Sequence, residues 1–118
     1  MADLEQVKLL RMGVEVWNQW REENPNVAID LSDIDLHGIQ IPKVNLSGAN
    51  LRYTQMESAN LFMANLNGAN LSRACLRRAQ LGFADMRNAI LDFTDLLYAN
   101  MKMAQRTDMH GKEFLSKH

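Results

Sequence analysis

Residues 44–71 read VNLSGANLRYTQMESANLFMANLNGANL, a stretch built on a five-residue repeat. The repeat runs unbroken from Ile29 to Met103, and an apolar residue returns at every fifth position 15 times. Those residues are Leu31, Leu36, Ile41, Leu46, Leu51, Met56, Leu61, Leu66, Leu71, Leu76, Leu81, Met86, Leu91, Leu96 and Met101. Two positions before each lies a second small or apolar residue, most often Ala. The residue between them is Asn, Asp or Gln in all but two repeats.

A period of five suits neither an α-helix nor a straight β-strand. On an α-helix five residues turn about 500°, so successive leucines would drift around the axis. On a strand an odd period would place alternate leucines on opposite faces. The chain must therefore turn once per repeat. The fifth-position apolar residue and the residue two positions before it, which we call the inward pair, then lie on one face of a short extended segment. The next two positions form a corner, where turn formers such as Pro42, Ser47 and Gly48 are common.

Tandem repeats of the form Ala-(Asn/Asp)-Leu-x-x resemble those of the pentapeptide-repeat family, over about two-thirds of the chain. The resemblance implies an all-β solenoid, a right-handed quadrilateral parallel β-helix with Leu and Ala inside and the other three positions outside. Four repeats would close one coil, so that the repeats of 29–105 make about four coils. The short helix before the repeats, with Trp17-Asn18 and Asn24-Pro25, is similar to small family members from cyanobacteria.

Residues 1–28 lie outside the repeat and are predicted to form one amphipathic helix that serves as an N-terminal cap. Asp3 and Gln6 are spaced for a capping box at its start. A solenoid end exposes unpaired strand edges, so we expect this helix to lie over the first coil. We expect Trp17 or Trp20 to pack on the large inward residues there. A helix that binds a membrane surface or a partner is the alternative, and the non-basic polar face disfavours the membrane version.

The pattern ends where Arg106 occupies a leucine position, and residues 106–118 are interpreted as a tail or short cap. With 118 residues and 47% hydrophobic content, the chain is predicted to be one domain. Its net charge of −1 argues against a general polyanion binder. The single cysteine excludes an intramolecular disulfide, and no apolar segment suits a membrane span or a secretory signal. We therefore expect a cytoplasmic protein.

The sequence shows no constellation of catalytic residues, so we expect no enzyme activity, no cofactor and no metal. Its three histidines lack ligand spacing, and there is no Gly-rich phosphate loop. Cys75 takes an outward middle position, where a surface thiol is the alternative to a structural role. Asp30, Asp33 and Asp35 suggest calcium at first sight, but two of them are the repeat's own middle residues.

Outward apolar residues suggest a surface for protein contact, because residues one coil apart should stack on one wall. The candidates are Phe62, Met63, Phe83, Met103 and Tyr98. Such a patch indicates a protein partner or a homodimer, and burial under the terminal segments stays open as an alternative.

A second candidate is a charged surface in the central coils, formed by Arg73, Arg77, Arg78 and Arg87. A solvated face of mixed charge is the simpler interpretation. Nucleic-acid binding would require more basic residues with exposed aromatic residues beside them. We therefore expect no nucleic-acid partner.

These observations favour a non-enzymatic protein-protein interaction or scaffold module whose protein partner the sequence does not name. The alternative comes from the resemblance: some family members mimic DNA and modulate DNA gyrase. Mimicry needs a long acidic rod, whereas residues 29–105 hold seven acidic and seven basic residues.

Overall fold

The structure, a computed structural model, describes residues 1–107 of the chain. Two helices come first, α1 (Leu4–Arg11) and α2 (Val14–Glu23). The chain then runs as a stack of short turns with two regular strands, β1 (Asp85–Met86) and β2 (Gln105–Arg106). Outside the described residues lie the apolar residues of the predicted tail, Met109, Phe114 and Leu115.

The prediction of one N-terminal helix is wrong, because the chain turns between two helices at Gly13. Gly13 has a φ of +119°, which L side chains rarely adopt and which a continuous helix excludes. The break redirects the apolar stripe. Leu4 and Met12 are therefore exposed, while Leu10 is buried against the repeats.

The start of α1 is capped as predicted, although only half of the capping box forms. The Asp3 carboxylate accepts hydrogen bonds from the backbone N–H groups of Glu5 and Gln6. The Gln6 side chain does not reach back to Asp3. It instead makes hydrogen bonds to the backbone of Ala28 and Asp30, where the first coil begins.

The predicted inward pair is confirmed along the stack. Every one of the fifth-position apolar residues is buried except Met101, which is half-buried in the last coil. Thr54 and Thr94 replace the inward alanine and are also buried, at 1% exposure each. Their hydroxyls donate to the carbonyls of Leu51 (2.8 Å) and Leu71 (2.7 Å), so the core contains no unpaired threonine hydroxyl in the described residues.

The backbones of successive coils pair in parallel with a register of four repeats, as expected. Asp30 pairs with Asn50, Asn50 with Asn70 and Asn70 with Ile90. Only the middle residue of most repeats pairs, so the extended pieces are shorter than regular strands. In the last pairing, β1 matches β2 through Met86 and Arg106, and the ladder therefore extends one residue past position 105.

Repeat 49–53 shows how every backbone N–H of a five-residue unit finds an acceptor. Ala49 donates to the carbonyl three residues back and closes the turn, and Asn50 donates to the preceding coil. Leu51 and Tyr53 donate to the following coil. The N–H of Arg52 alone has no backbone partner in this scheme, and it donates to the side-chain oxygen of Asn50. The Asn or Asp between the inward pair therefore supplies the fifth acceptor.

We expect Asn70→Ala to lower the free energy of unfolding by about 1–2 kcal/mol, because Asn70 Oδ1 accepts from Ser72 N (3.0 Å) and Ser72 Oγ (2.6 Å). Urea unfolding measures this loss. Gln80→Ala is the matched control, since the Gln80 side chain makes no such bond within residues 1–107. Equal stability of the two variants would contradict the assigned role.

All 15 last residues of the repeats adopt the left-handed conformation, with φ between 57° and 73°, and 12 of them are not glycine. The carbonyl of Leu46 accepts from the N–H of Ala49 (3.1 Å), and bonds of this kind close the corners from Leu36 onwards as type II turns. This conformation is uncommon for residues with a side chain. It turns the chain by a quarter at each repeat and leaves these side chains outside.

The helix pair packs on the first coil, residues 29–48, and the expectation for the tryptophans is confirmed. Trp17 is 0% exposed, and its Nε1 donates to the carbonyl of Asn45 at 2.8 Å. Trp20 is half-buried, and its ring centroid lies 5.3 Å from that of Trp17.

Side-chain amides from the helices take the place of a preceding coil's peptide groups. Gln6 accepts from Asp30 N (2.8 Å) and donates to Ala28 O (2.9 Å). Asn18 in the same way accepts from Asn45 N (2.8 Å) and donates to Lys43 O (3.0 Å). Arginines satisfy further carbonyls of the same coil: Arg21 at Asn45 and Ser47, and Arg11 at Asp35.

Candidate functional site

The corner side chains form four edges that run along the stack, since residues one coil apart lie above one another. Three edges carry large side chains and one carries small ones. The members are Asp33, Tyr53, Arg73 and Phe93; Gly38, Ser58, Arg78 and Tyr98; Lys43, Met63, Phe83 and Met103; and Gly48, Gly68 and Asn88. The outer surface therefore differs strongly from one edge to the next.

Four of the candidate contact residues lie together at one corner, which we call the apolar edge: Phe62, Met63, Phe83 and Met103. They are 40%, 46%, 52% and 64% exposed, respectively. The Phe62 and Phe83 rings meet edge-to-face, with centroids 5.9 Å apart and an interplanar angle of 77°. In the part of the chain that the structure describes, all four side chains are therefore open to solvent.

Gly82 makes room for the aromatic pair. A Cβ at this position would lie 3.2 Å from Cδ1 of Phe62, closer than ordinary van der Waals contact. Gly82 is itself buried, so the Phe62 ring lies across the backbone of the next coil. The sequence carried a signal for this arrangement, because Phe62 and Gly82 occupy equivalent positions in successive coils.

Tyr98, the fifth candidate, lies on the neighbouring edge and does not join the apolar edge. Its ring lies 5.5 Å from the guanidinium carbon of Arg78, which stands one coil earlier in the same column. The apolar candidates thus form one group of four residues and one separate tyrosine.

Comparison with known proteins identifies the five-residue repeat. The family model for pentapeptide repeats matches eight copies, over residues 29–68, 43–78 and 74–105. The chain belongs to the pentapeptide-repeat family. Its fold is accordingly a right-handed β-helix solenoid.

Solved structures of other pentapeptide-repeat proteins are similar to this chain. A protein from the thylakoid lumen of Arabidopsis thaliana matches with a TM-score of 0.66 and 30% identity, over 74% of this chain and 59% of that protein. A protein from the cyanobacterium Cyanothece 51142 matches with a TM-score of 0.55 and 30% identity, over 74% and 52%. One from Nostoc PCC 7120 matches with a TM-score of 0.46 and 26% identity, over 89% and 96%. No curated protein matches.

This pentapeptide-repeat chain therefore spans 59% and 52% of the length of the first two structures.

Each of the four candidate arginines is already engaged with a neighbour. The guanidinium of Arg73 stacks 4.6 Å from the Phe93 ring centroid, and Arg78 also lies 3.5 Å from a Glu57 oxygen. Arg77 pairs with Asp95 and Arg87 with Asp85. These partners were missed in the sequence. The aromatic partners follow the spacing of one coil, which could have signalled them, whereas the carboxylate partners do not follow it.

Arg87 holds Asp85 in its charged form. Its Nε and Nη2 donate to the two carboxylate oxygens of Asp85, each at 2.9 Å. These bonds, helped by the Arg87 N–H and Asn67, lower the pKa of Asp85 to about 2 against the effect of partial burial. The same pair raises the pKa of Arg87.

We expect Arg87→Gln to raise the pKa of Asp85 back towards its ordinary value of about 3.9. Since the folded pKa lies below the unfolded one, the stabilisation by Asp85 is present above about pH 4 and is lost as the pH falls towards 2. NMR titration of the Asp85 carboxyl group measures the pKa, and urea unfolding at several pH values measures the stabilisation. Arg52→Gln serves as control, and an unchanged Asp85 pKa in Arg87→Gln would refute the assigned cause.

Of the other residues considered as possible ligands, Asp30 and Asp35 accept hydrogen bonds from backbone N–H groups. Among residues 1–107 no group of three or more His, Cys, Asp or Glu side chains could hold a metal ion. Asp30 caps the N–H of Ser32, and Asp35 caps that of His37. Cys75 is a half-buried free thiol. No helix in this part of the chain is long and apolar enough to cross a membrane.

Proposed function

We propose that the protein is a non-enzymatic binding module whose rigid solenoid presents the apolar edge to another protein. The observation that carries the proposal is the exposed Phe62–Phe83 pair, held over Gly82 by the spacing of the coils. Aromatic side chains dominate the energy of protein interfaces, and clustered ones are favoured contact points.

The apolar edge is better suited to binding another protein than the surface formed by the four candidate arginines. Each candidate arginine already has an aromatic or carboxylate neighbour, so binding an anionic partner there would have to displace existing contacts. The apolar edge has no such competing contacts within the described residues. Burying it removes apolar area from water at about 25 cal/mol per Å².

The same charges argue against mimicry of DNA. A mimic must present a continuous acidic surface, whereas here basic and acidic residues balance and the arginines of the third coil face outward. We expect no effect of the purified protein in a gyrase supercoiling assay at micromolar levels.

We also propose that the helix pair is a cap for the solenoid. Residues 1–28 would then form the cap, residues 29–105 a β-helix of just under four coils, and residues 106–118 a C-terminal tail or short cap. The bonds from Gln6 and Asn18 to the edge of the first coil support this division.

The test is affinity capture with the wild type, with the double variant F62S/F83S and with F93S as matched control. Phe93 is 69% exposed but lies on another edge, so F93S removes an exposed ring without touching the apolar edge. We expect the double variant to bind a captured partner about 30-fold more weakly, as loss of a central aromatic contact implies, and F93S to bind normally. Equal binding by all three proteins would refute the proposal, provided that their melting temperatures agree.

A further inference from the structure

The helix pair leaves part of a second apolar surface open to solvent, beside the side chains that pack on the core. An open groove of about 460 Å³ lies on it, lined by Leu9, Val16 and Trp20, with Glu15, Gln19 and Glu23 alongside. Val16, Trp20 and Glu23 follow one another at helical spacing on α2, so they form one stripe. The only charged residues of the groove are acidic.

The wall beside the apolar edge carries positive charge, opposite to that of the groove. This wall, residues 39–43 and their equivalents in the next three coils, holds no acidic residue. Its only charged residues are Lys43 in the first coil and Lys102 in the last, beside Met103. Neither lysine has an ion-pair partner among residues 1–107.

We propose that the groove of one copy binds the Phe83–Met103 part of the apolar edge of a second copy, with Lys102 facing Glu15 and Glu23. The inference rests on the proposed function, because it names the partner of the same edge. Apolar side chains then meet apolar side chains, and the charges around them are complementary.

The two surfaces are different parts of the molecule, so the contact is heterologous. The groove lies beside the first coil, whereas Phe83 and Met103 belong to the third and fourth coils. Each copy therefore keeps one free groove and one free edge after pairing, and association continues to longer chains unless a ring closes. So few side chains predict a weak contact, with a Kd on the order of 100 µM.

Sedimentation equilibrium of the full chain at up to about 500 µM tests the proposal, given the weak contact expected. The average mass of the wild type is expected to rise with concentration, and to rise less in high salt.

The double variant Glu15→Lys with Glu23→Lys reverses the charge of the groove, and Lys102→Glu reverses the charge beside the apolar edge. Each change alone is expected to weaken association about tenfold or more. Lys8→Glu is the control for Lys102→Glu, since it makes the same change in net charge on exposed α1 surface.

Charge exchange provides the decisive comparison. The triple variant with all three reversals restores the complementarity and is expected to associate like the wild type. An equimolar mixture of the groove variant and the edge variant is also expected to associate, because each reversed surface then meets a complementary one.

Three results would overturn the inference. They are a monomeric wild type at about 500 µM, equal association of the wild type and the single-surface variants, and failure of the triple variant to recover although it is folded. Phe114→Ser abolishing association while the charge reversals leave it intact would assign the contact to the C-terminal segment instead. A monomeric wild type leaves the proposed function standing, since capture with F62S/F83S tests the edge against any protein.

Discussion

Trp17→Ala is expected to lower the free energy of unfolding by about 4 kcal/mol, the typical loss for a large buried aromatic residue. Trp17 is fully buried between α2 and the first coil, and its Nε1 donates to the Asn45 carbonyl. The substitution leaves a cavity and also removes one of the two side-chain donors to the Asn45 carbonyl, the other being Arg21. For a chain of this size, such a loss is a large part of the total stability.

Trp17→Phe separates the two contributions, because it keeps most of the packing and removes only the indole N–H. We expect it to lose about 1–2 kcal/mol. Val16→Ala is the matched control on the exposed side of α2, where Val16 is 39% exposed. Denaturant unfolding gives the free energies. The N–H of Asn45 donates a hydrogen bond to the side-chain oxygen of Asn18. Hydrogen exchange at this N–H shows whether the first coil opens. A loss below about 1 kcal/mol for Trp17→Ala would refute the cap proposal.

Deleting the single residue Arg73 is expected to abolish cooperative folding, although its side chain is exposed and lies at a corner. The deletion moves every later residue one place along the repeat. Leu76 and Leu81 would then occupy the outward middle position, and polar residues would point into the core. The lost burial of these and later leucines exceeds the roughly 5–15 kcal/mol by which a domain is stable.

Deleting residues 49–68 is the matched control, because these four repeats are one complete coil. Gly48 is then followed by Ala69, so each position of the repeat keeps its direction and each coil keeps its neighbour. We expect a shorter but cooperatively folded chain with the circular-dichroism spectrum of the wild type. A folded single-residue deletion or an unfolded whole-coil deletion would contradict the register observed in the backbone pairing.

The parts of the fold that follow from periodicity were predictable from the sequence. The inward residues and the pairing of residues one coil apart are consequences of the spacing, once the chain turns at each repeat. The break at Gly13 was missed because a helical stripe can be drawn through a glycine, whereas its φ of +119° depends on where α1 meets the first coil.

The surface was less predictable, because outward residues contact whatever lies one coil away or at the next corner. The apolar edge could be named from its spacing. Tyr98 was assigned to the same surface, but the turn between adjacent edges places it beside Arg78. The ion pairs of Arg77 and Arg87 depend on the direction in which these extended side chains lie on the outer surface. The spacing of the repeat does not determine that direction.

The left-handed corners also determine which residues the surface can use. Tyrosine, phenylalanine, methionine, arginine, lysine, serine and aspartate all occupy these positions, but valine, isoleucine and threonine never do. A branched Cβ strongly disfavours this conformation, whereas unbranched side chains tolerate it better and Asn and Asp adopt it most readily among them. One unbranched corner residue can therefore replace another with little effect on the core. The outer surface can therefore change while the fold stays the same.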